Sequence, residues 1–233
     1  MSFSVLPIES SQTYSWLLKK HYAHRIPSIS YAFGLYDGCE LIGVVTYGVP
    51  PSGNLKSGIA GDKYADIVLE LNRLVLSELA PKNSASCLVG RSLKYLPNPS
   101  IVVSYADTEQ GHVGYVYQAA NFIYTGLSAK RSNWTIEGLE NLHGFTIADM
   151  SRGQENRAQY MRDTYGDKFS LTPRSRKHRY IYIVADKRTK AQIFENLNYK
   201  PLPYPKGDTS RYDAGESVAT QQILFQDQTQ VTS

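Results

Sequence analysis

Cysteine is scarce in this chain. Only Cys39 and Cys87 occur among 233 residues. Neither sits in a Cys-x-x-Cys spacing, which excludes a disulfide framework and a cysteine-based zinc site. Long apolar runs are missing too, and none approaches the length that spans a bilayer. The first residues lack the basic-then-apolar pattern of a signal peptide. Together these absences predict a soluble protein working in a reducing cytoplasm, with no membrane partner. Charge of one sign is not in large excess either: 25 Lys and Arg against 21 Asp and Glu leave a net +4. With a sequence pI of about 8.9, that balance permits a nucleic-acid partner without requiring one. Internal repeats are absent. What is present is 42% hydrophobic residues, enough for a sizeable core. We expect one domain over residues 1–225 and a polar tail over 226–233.

Periodicity divides the chain. Residues 3–8 read as a strand, and 10–22 as a helix with Tyr14, Leu17, Leu18 and His21 at helical spacing. Residues 29–36 and 40–47 alternate as strands around Asp37-Gly38, a hairpin signal. The Pro/Gly/Ser/Asn-rich stretch 49–62 reads as a loop, 67–76 as a long buried strand, and 84–96 as a helix stopped by Pro97. After Ser128 the pattern weakens, with a helix predicted over 154–165, a strand over 179–185 and a last helix over 189–197.

The most informative stretch is SIVVSYADTEQGHVGYVYQAANFIYTG, residues 100–126. Alternation puts Ile101, Val103, Tyr105 and Asp107 on one strand face. An acid ending a buried face is costly unless paired or coordinated, and ligands of open α/β sheets often bind at strand carboxyl ends. Asp107 is therefore either a site of chemistry or the cap of the helix that follows it.

The order strand, helix, two strands, long strand, helix, strand, helix, strand gives an α/β (α+β) domain, a mixed central sheet flanked by helices. That order resembles the GCN5-related N-acetyltransferase (GNAT) fold. The strings HYAHRIPSISYAFGLYDG, VLELNRLVL, NSASCLVGRSLKYLP and IVVSYADTEQGHVGYVYQAANFIYTG narrow the resemblance to the Mom proteins of phages. The matching strings lie between about His21 and Arg131. The resemblance implies a GNAT-like enzyme that converts adenine in double-stranded DNA to its N6-carbamoylmethyl form and so shields the DNA from restriction. It also implies bound iron, with His21, Tyr22, Asp107 and Tyr117 as ligands and His24 as a competitor of His21. Asp107, Tyr117, Arg73 and Ser92 are implied as catalytic. In a GNAT fold the helix after the long strand binds acyl-CoA. Here that stretch carries Gly90 and Arg91, which with Ser92 are the implied cofactor contacts. Its glycines are few compared with the usual Arg/Gln-x-x-Gly-x-Gly/Ala loop.

Apart from any family, His21 lies on the apolar stripe of its helix, where a histidine packs or caps more often than it ligates. Tyr22 and Tyr117 are two of 18 tyrosines, for which packing is the default. Arg73, if buried, needs an anionic partner, either Glu70 or the substrate. The run RSRKHRYIYIVADKRTK, residues 174–190, sets Arg176, Lys177 and Arg179 beside Tyr180 and Tyr182. That is a DNA-binding pattern or a solvated strand edge. Lys130, Arg131 and Trp134 form a smaller cluster of the same kind. Three functions follow: the DNA-modifying enzyme fed by a small-molecule group donor, an acyl-CoA-dependent N-acyltransferase on an amine or protein, and a non-catalytic DNA-binding module.

Overall fold

A computed structural model of the chain describes residues 3–21, 24–142 and 144–207. The expected tail, 226–233, lies outside them. Strand β1 (Phe3–Pro7) leads through a 3-10 turn to α1 (Tyr14–Lys19). Strands β2 (Tyr31–Asp37) and β3 (Glu40–Gly48) form the expected hairpin. Asp37 pairs with Glu40, so the two-residue turn is Gly38-Cys39, with Gly38 at φ 59, a conformation glycine adopts without strain.

The stretch expected to be a loop contains α2 (Gly53–Ala60), whose N-cap Ser52 accepts a hydrogen bond from the Leu55 amide. Its composition hides the helix, and burial of Ile59 and Ala60 stabilises it. Next come β4 (Val68–Leu76), α3 (Ser84–Ser92), β5 (Ser100–Asp107), α4 (Tyr115–Ala119) and β6 (Ile123–Leu127). After them lie β7 (Arg131–Ile136), α5 (Gly144–Asp149), α6 (Arg157–Tyr165) and β8 (Phe169–Arg174). The last elements are β9 (Lys177–Val184) and α7 (Lys187–Glu195).

The main sheet runs β1-β2-β3-β4-β5-β9-β6. Among the described residues β4 and β5 are its parallel pair, and the other neighbours are antiparallel. This is the helix-flanked mixed sheet the sequence predicts. One face packs Tyr47, Leu71, Val102, Phe122 and Tyr180 against Leu88 and Val89 of α3. On the other, Val44 and Val75 meet Leu17 of α1, while Val68, Ile101, Val103 and Ile181 meet Ile59 of α2 and Ile193 of α7. Burial on both faces explains why β5 reads as a near-continuous apolar run.

Strands β7 and β8 form a separate two-stranded ribbon. With α5 and α6 it surrounds a small core of Ile136, Ile147, Met161 and Phe169. This insert between β6 and β9 is where the sequence pattern fades. Among the described residues no helix is long and apolar enough to cross a membrane.

Candidate active site

The site begins where β4 and β5 part. Their ladder holds from Val68↔Ile101 to Leu71↔Ser104. Beyond it β4 continues along β3 to Leu76, and β5 along β9 to Asp107. At the fork the Ser104 hydroxyl donates to the Leu71 carbonyl, 3.1 Å away. A bulge opens the fork: the β3–β4 register shifts between Thr46 and Tyr47, leaving Asn72 as the extra residue. Its side chain is pinned, accepting from Thr46 Oγ1 at 2.6 Å and donating to the Ser28 carbonyl at 2.8 Å. A Cβ on Gly48 would lie 1.9 Å from that carbonyl oxygen, so only glycine fits beside the bulge.

Alternation then sorts the chemistry by face. Tyr105 and Asp107 share the face of Ile101 and Val103, and Glu70 shares the face of Val68. Past the bulge Arg73 follows the face of Val75, which packs on α1. His21, buried just beyond the end of α1, meets them there. Asp107 is both the expected cap and the expected paired acid. Its Oδ1 accepts from the Glu109 amide at 3.1 Å, and its Oδ2 pairs with Lys177 Nζ at 3.1 Å. Burial acts to raise its pKa, but the Glu109 amide, the Ser175 side chain and Lys177 outweigh it and hold the carboxyl below its ordinary value.

The imidazole of His21 is pulled down to about 3, first by burial and then by Arg73, His24, His112 and Lys177. Burial likewise lowers His112, against the pull of Asp107. Glu70 goes the other way: burial raises it against Arg73 and Lys177. The open end of the fork thus gathers neutral imidazoles, a carboxyl of raised basicity and two cations. Glu70 is the internal carboxylate whose field Arg73 feels, as the sequence allows. His24 Nδ1 lies 2.8 Å from the Leu18 carbonyl, so its ring donates there and closes the C-terminus of α1.

The opposite face holds a second group. Ser92, with no exposed surface, donates to the Val89 carbonyl at 2.9 Å and accepts from the Tyr47 hydroxyl at 2.6 Å. The Tyr117 ring packs 5.5 Å from Phe122 and 5.3 Å from Tyr180, and its charge would be felt by Tyr47, which burial already holds well above the ordinary phenol range. Tyr117 and Ser92 therefore sit across the sheet from His21 and Asp107. Arg73 acts on His21, on the face opposite Ser92.

Of the four implied iron ligands, the described residues include three, His21, Asp107 and Tyr117. Tyr22 lies outside them, Tyr117 is on the other face, and among the described residues no three His, Cys, Asp or Glu side chains form a metal-binding group. Gly90, Arg91 and Ser92 occupy the C-terminal part of α3, away from the free amides of its N-terminus that would face an anion. Arg91 instead donates to the Phe3 carbonyl and ties α3 to β1.

The basic run is largely internal. Arg179 is buried, donates to Thr125 Oγ1 at 2.9 Å and to the Thr125 carbonyl at 3.0 Å, and stacks 3.3 Å from the Tyr199 ring centre. Arg179 is thus neither a solvated edge charge nor presented to DNA: Tyr199 covers its side of β9. Arg176 donates to the Ser128 carbonyl at 2.7 Å. Lys177, expected to contact DNA, is the partner of Asp107 at the rim. Lys130 and Arg131 are exposed. Sequence reasoning missed His112 and Tyr47. His112 follows Asp107 across a tight turn, a visible signal, whereas Tyr47 carries none.

The comparisons with known proteins follow this geometry. The family model described as the Mom protein family matches residues 2–206. The methylcarbamoylase Mom of Escherichia phage Mu is 31% identical over 192 residues, covering 80% of this chain and 77% of that protein. Among solved structures, an N-acetyltransferase from Staphylococcus aureus Mu50 matches with a TM-score of 0.43 and 11% identity, over 79% of this chain and 99% of that one. NAA60 of Arabidopsis thaliana, in complex with a bisubstrate analogue, matches with a TM-score of 0.44 and 12% identity, over 79% and 99%.

Proposed function

The chain belongs to the Mom protein family, and from that premise we propose that it transfers a carbamoylmethyl group to N6 of adenine in double-stranded phage DNA, shielding the DNA from restriction nucleases. The observation that carries the chemistry is the forked sheet end, where His21, Glu70, Arg73, Asp107 and Lys177 share one face.

Adenine N6 is a poor nucleophile, its lone pair being delocalised into the ring, and in the duplex it is engaged in pairing. The base must leave the stack to be reached. As the new N6–CH2 bond forms, the bond from that carbon to the donor's leaving group breaks, the leaving group takes the electron pair, and N6 loses one proton. Glu70, made more basic than an ordinary glutamate by burial, is the acceptor we assign. Arg73 and Lys177 supply positive charge for an anionic donor, and Asp107 holds Lys177 at the rim. His21 is a neutral hydrogen-bond partner there.

A plain acetyl transfer would leave N–C(=O)–CH3, whereas the proposed product has N6 bonded to the CH2 that carries the amide. Acetyl-CoA by ordinary acyl transfer does not account for it, so the donor is a small molecule of other chemistry.

The test is mass spectrometry of nucleosides from plasmid DNA of cells expressing the chain. A new adenine species heavier by the carbamoylmethyl group supports the proposal. Unmodified DNA together with acetyl-CoA turnover favours the N-acyltransferase. Unmodified DNA with DNA binding favours a non-catalytic module.

A further inference from the structure

The β7–β8 ribbon has two unlike faces. Trp134, Ile136, Phe169 and Leu171 turn toward the small core. Register and alternation put Arg131, Asn133 and Thr135 on the other face, opposite Arg174, Thr172 and Ser170. All of them are exposed, and none is acidic or apolar. Thr135 Oγ1 and Ser170 Oγ lie 2.7 Å apart, a cross-strand pair at the end of the face away from the arginines.

At the neck end Arg131 sits directly across from Arg174. Like charges directly opposite each other destabilise a strand pair. Among the described residues neither arginine has an ion-pair partner. A merely solvated ribbon gains nothing from two guanidiniums held in register; a bound anion does. The arginines are close to the site. Arg174 lies three residues before Lys177, the partner of Asp107, and the field of Arg131 reaches the Tyr105 phenol on β5.

We propose that this polar ribbon face docks the DNA duplex. Arg131 and Arg174 hold a backbone phosphate next to the fork, while Asn133, Thr172, Thr135 and Ser170 meet base edges in the major groove. A two-stranded ribbon fits a groove about 12 Å wide, and Asn and Thr are side chains that hydrogen-bond base edges. The arginines position, and the uncharged residues read. The proposal rests on the reading of this chain as a DNA-modifying enzyme.

The experiment measures duplex binding across a salt series, plasmid modification and melting temperature for three full-length chains. They are the wild type, the double variant Arg131→Gln/Arg174→Gln, and the double variant Asn133→Ala/Thr172→Ala. The arginine variant should bind any duplex about tenfold more weakly, with a salt slope smaller by about one, for the one phosphate the pair holds. Its melting temperature should hold or rise, because a like-charge pair has been removed. The second variant should keep the salt slope and change which adenines are modified. An arginine variant with wild-type affinity and salt slope, in a chain that still modifies DNA, overturns the ribbon as docking face and leaves the enzymatic reading standing. A fall of several degrees in its melting temperature also overturns it, since the pair would then be structural. A wild-type chain that neither binds duplex nor yields the new nucleoside overturns both.

Discussion

Replacing Arg179 with methionine separates an internal arginine from a DNA contact. The structure gives this guanidinium two hydrogen bonds, to Thr125 Oγ1 at 2.9 Å and to the Thr125 carbonyl at 3.0 Å, and a stack on Tyr199 at 3.3 Å. Hydrogen bonds from charged donors contribute roughly 1.5–3 kcal/mol each, and a desolvated cation–π contact about 2 kcal/mol. Against these stands the desolvation of the charge, several kcal/mol. Methionine keeps the apolar stem but leaves two buried acceptors without a donor, at about 1–3 kcal/mol each. A net loss of about 3 kcal/mol follows. For a chain of this size each kcal/mol shifts the midpoint by about 2–4 °C, so the melting temperature should fall by about 6–12 °C. Thermal unfolding by circular dichroism measures it, and duplex binding well below the midpoint completes the test. We expect the folded variant to bind DNA within twofold of wild type, with the same salt slope. An unchanged melting temperature with a tenfold loss of affinity and a salt slope smaller by about one would refute the internal role.

Three further outcomes are expected. His21 is held neutral in the fold, its pKa near 3 against 6.5 for the free imidazole. The unfolded chain therefore binds that proton first, and stability present above pH 6.5 drains away as the pH falls toward 3. His21→Gln should flatten the urea-midpoint profile across that window, and a profile parallel to wild type would contradict the burial of this ring. Ser92→Ala strands the buried Tyr47 hydroxyl at a cost of about 1–3 kcal/mol, while Tyr47→Phe leaves Ser92 bonded to Val89 and should cost about 1 kcal/mol. Loss of the modified nucleoside in Ser92→Ala at wild-type stability would mean that Ser92 acts in the reaction. Asp107→Asn removes the countercharge of Lys177 and should abolish modification. It should also remove the part of the acid unfolding that comes from protonating a carboxyl whose folded pKa is depressed, a contribution present above about pH 3.8 and lost below it; wild-type nucleoside yield from this variant would remove Asp107 from the site.

Strands β4 and β5 were legible because they are long and largely apolar, and an acid at the end of such a strand announces itself. The β7–β8 ribbon was not. In RSNWTI only Trp134 and Ile136 carry its apolar face, and the helices that cover it are short. Helix α2 was lost the same way, to a glycine- and serine-rich composition that tertiary burial overrides. Arg179 shows the limit of reading charge runs. Lys177 and Arg179 share a strand face yet have separate fates: Lys177 stands at the strand end beside Asp107, while Arg179, two residues further in, lies under Tyr199. Only the family resemblance groups Tyr117 with Asp107; by residue type alone it reads as a packing tyrosine. The turn through His112 carries the chain across the sheet edge, and no local pattern encodes that crossing.

The neck of the insert has a mechanical consequence. The Ser128 amide donates to the Lys177 carbonyl at 2.8 Å, the Lys177 amide to Ser128 Oγ at 2.9 Å, and Arg176 to the Ser128 carbonyl. The two chain ends of the ribbon unit are thus fastened together at its root, and the main sheet meets the loop-closure entropy whatever the length of the unit beyond. That makes the insert a cassette. It can lengthen, shorten or change its outer surface over evolution without disturbing the fork. Because its root is the same Lys177 that grips Asp107, a load on the ribbon is delivered to the strand end where the chemistry is placed.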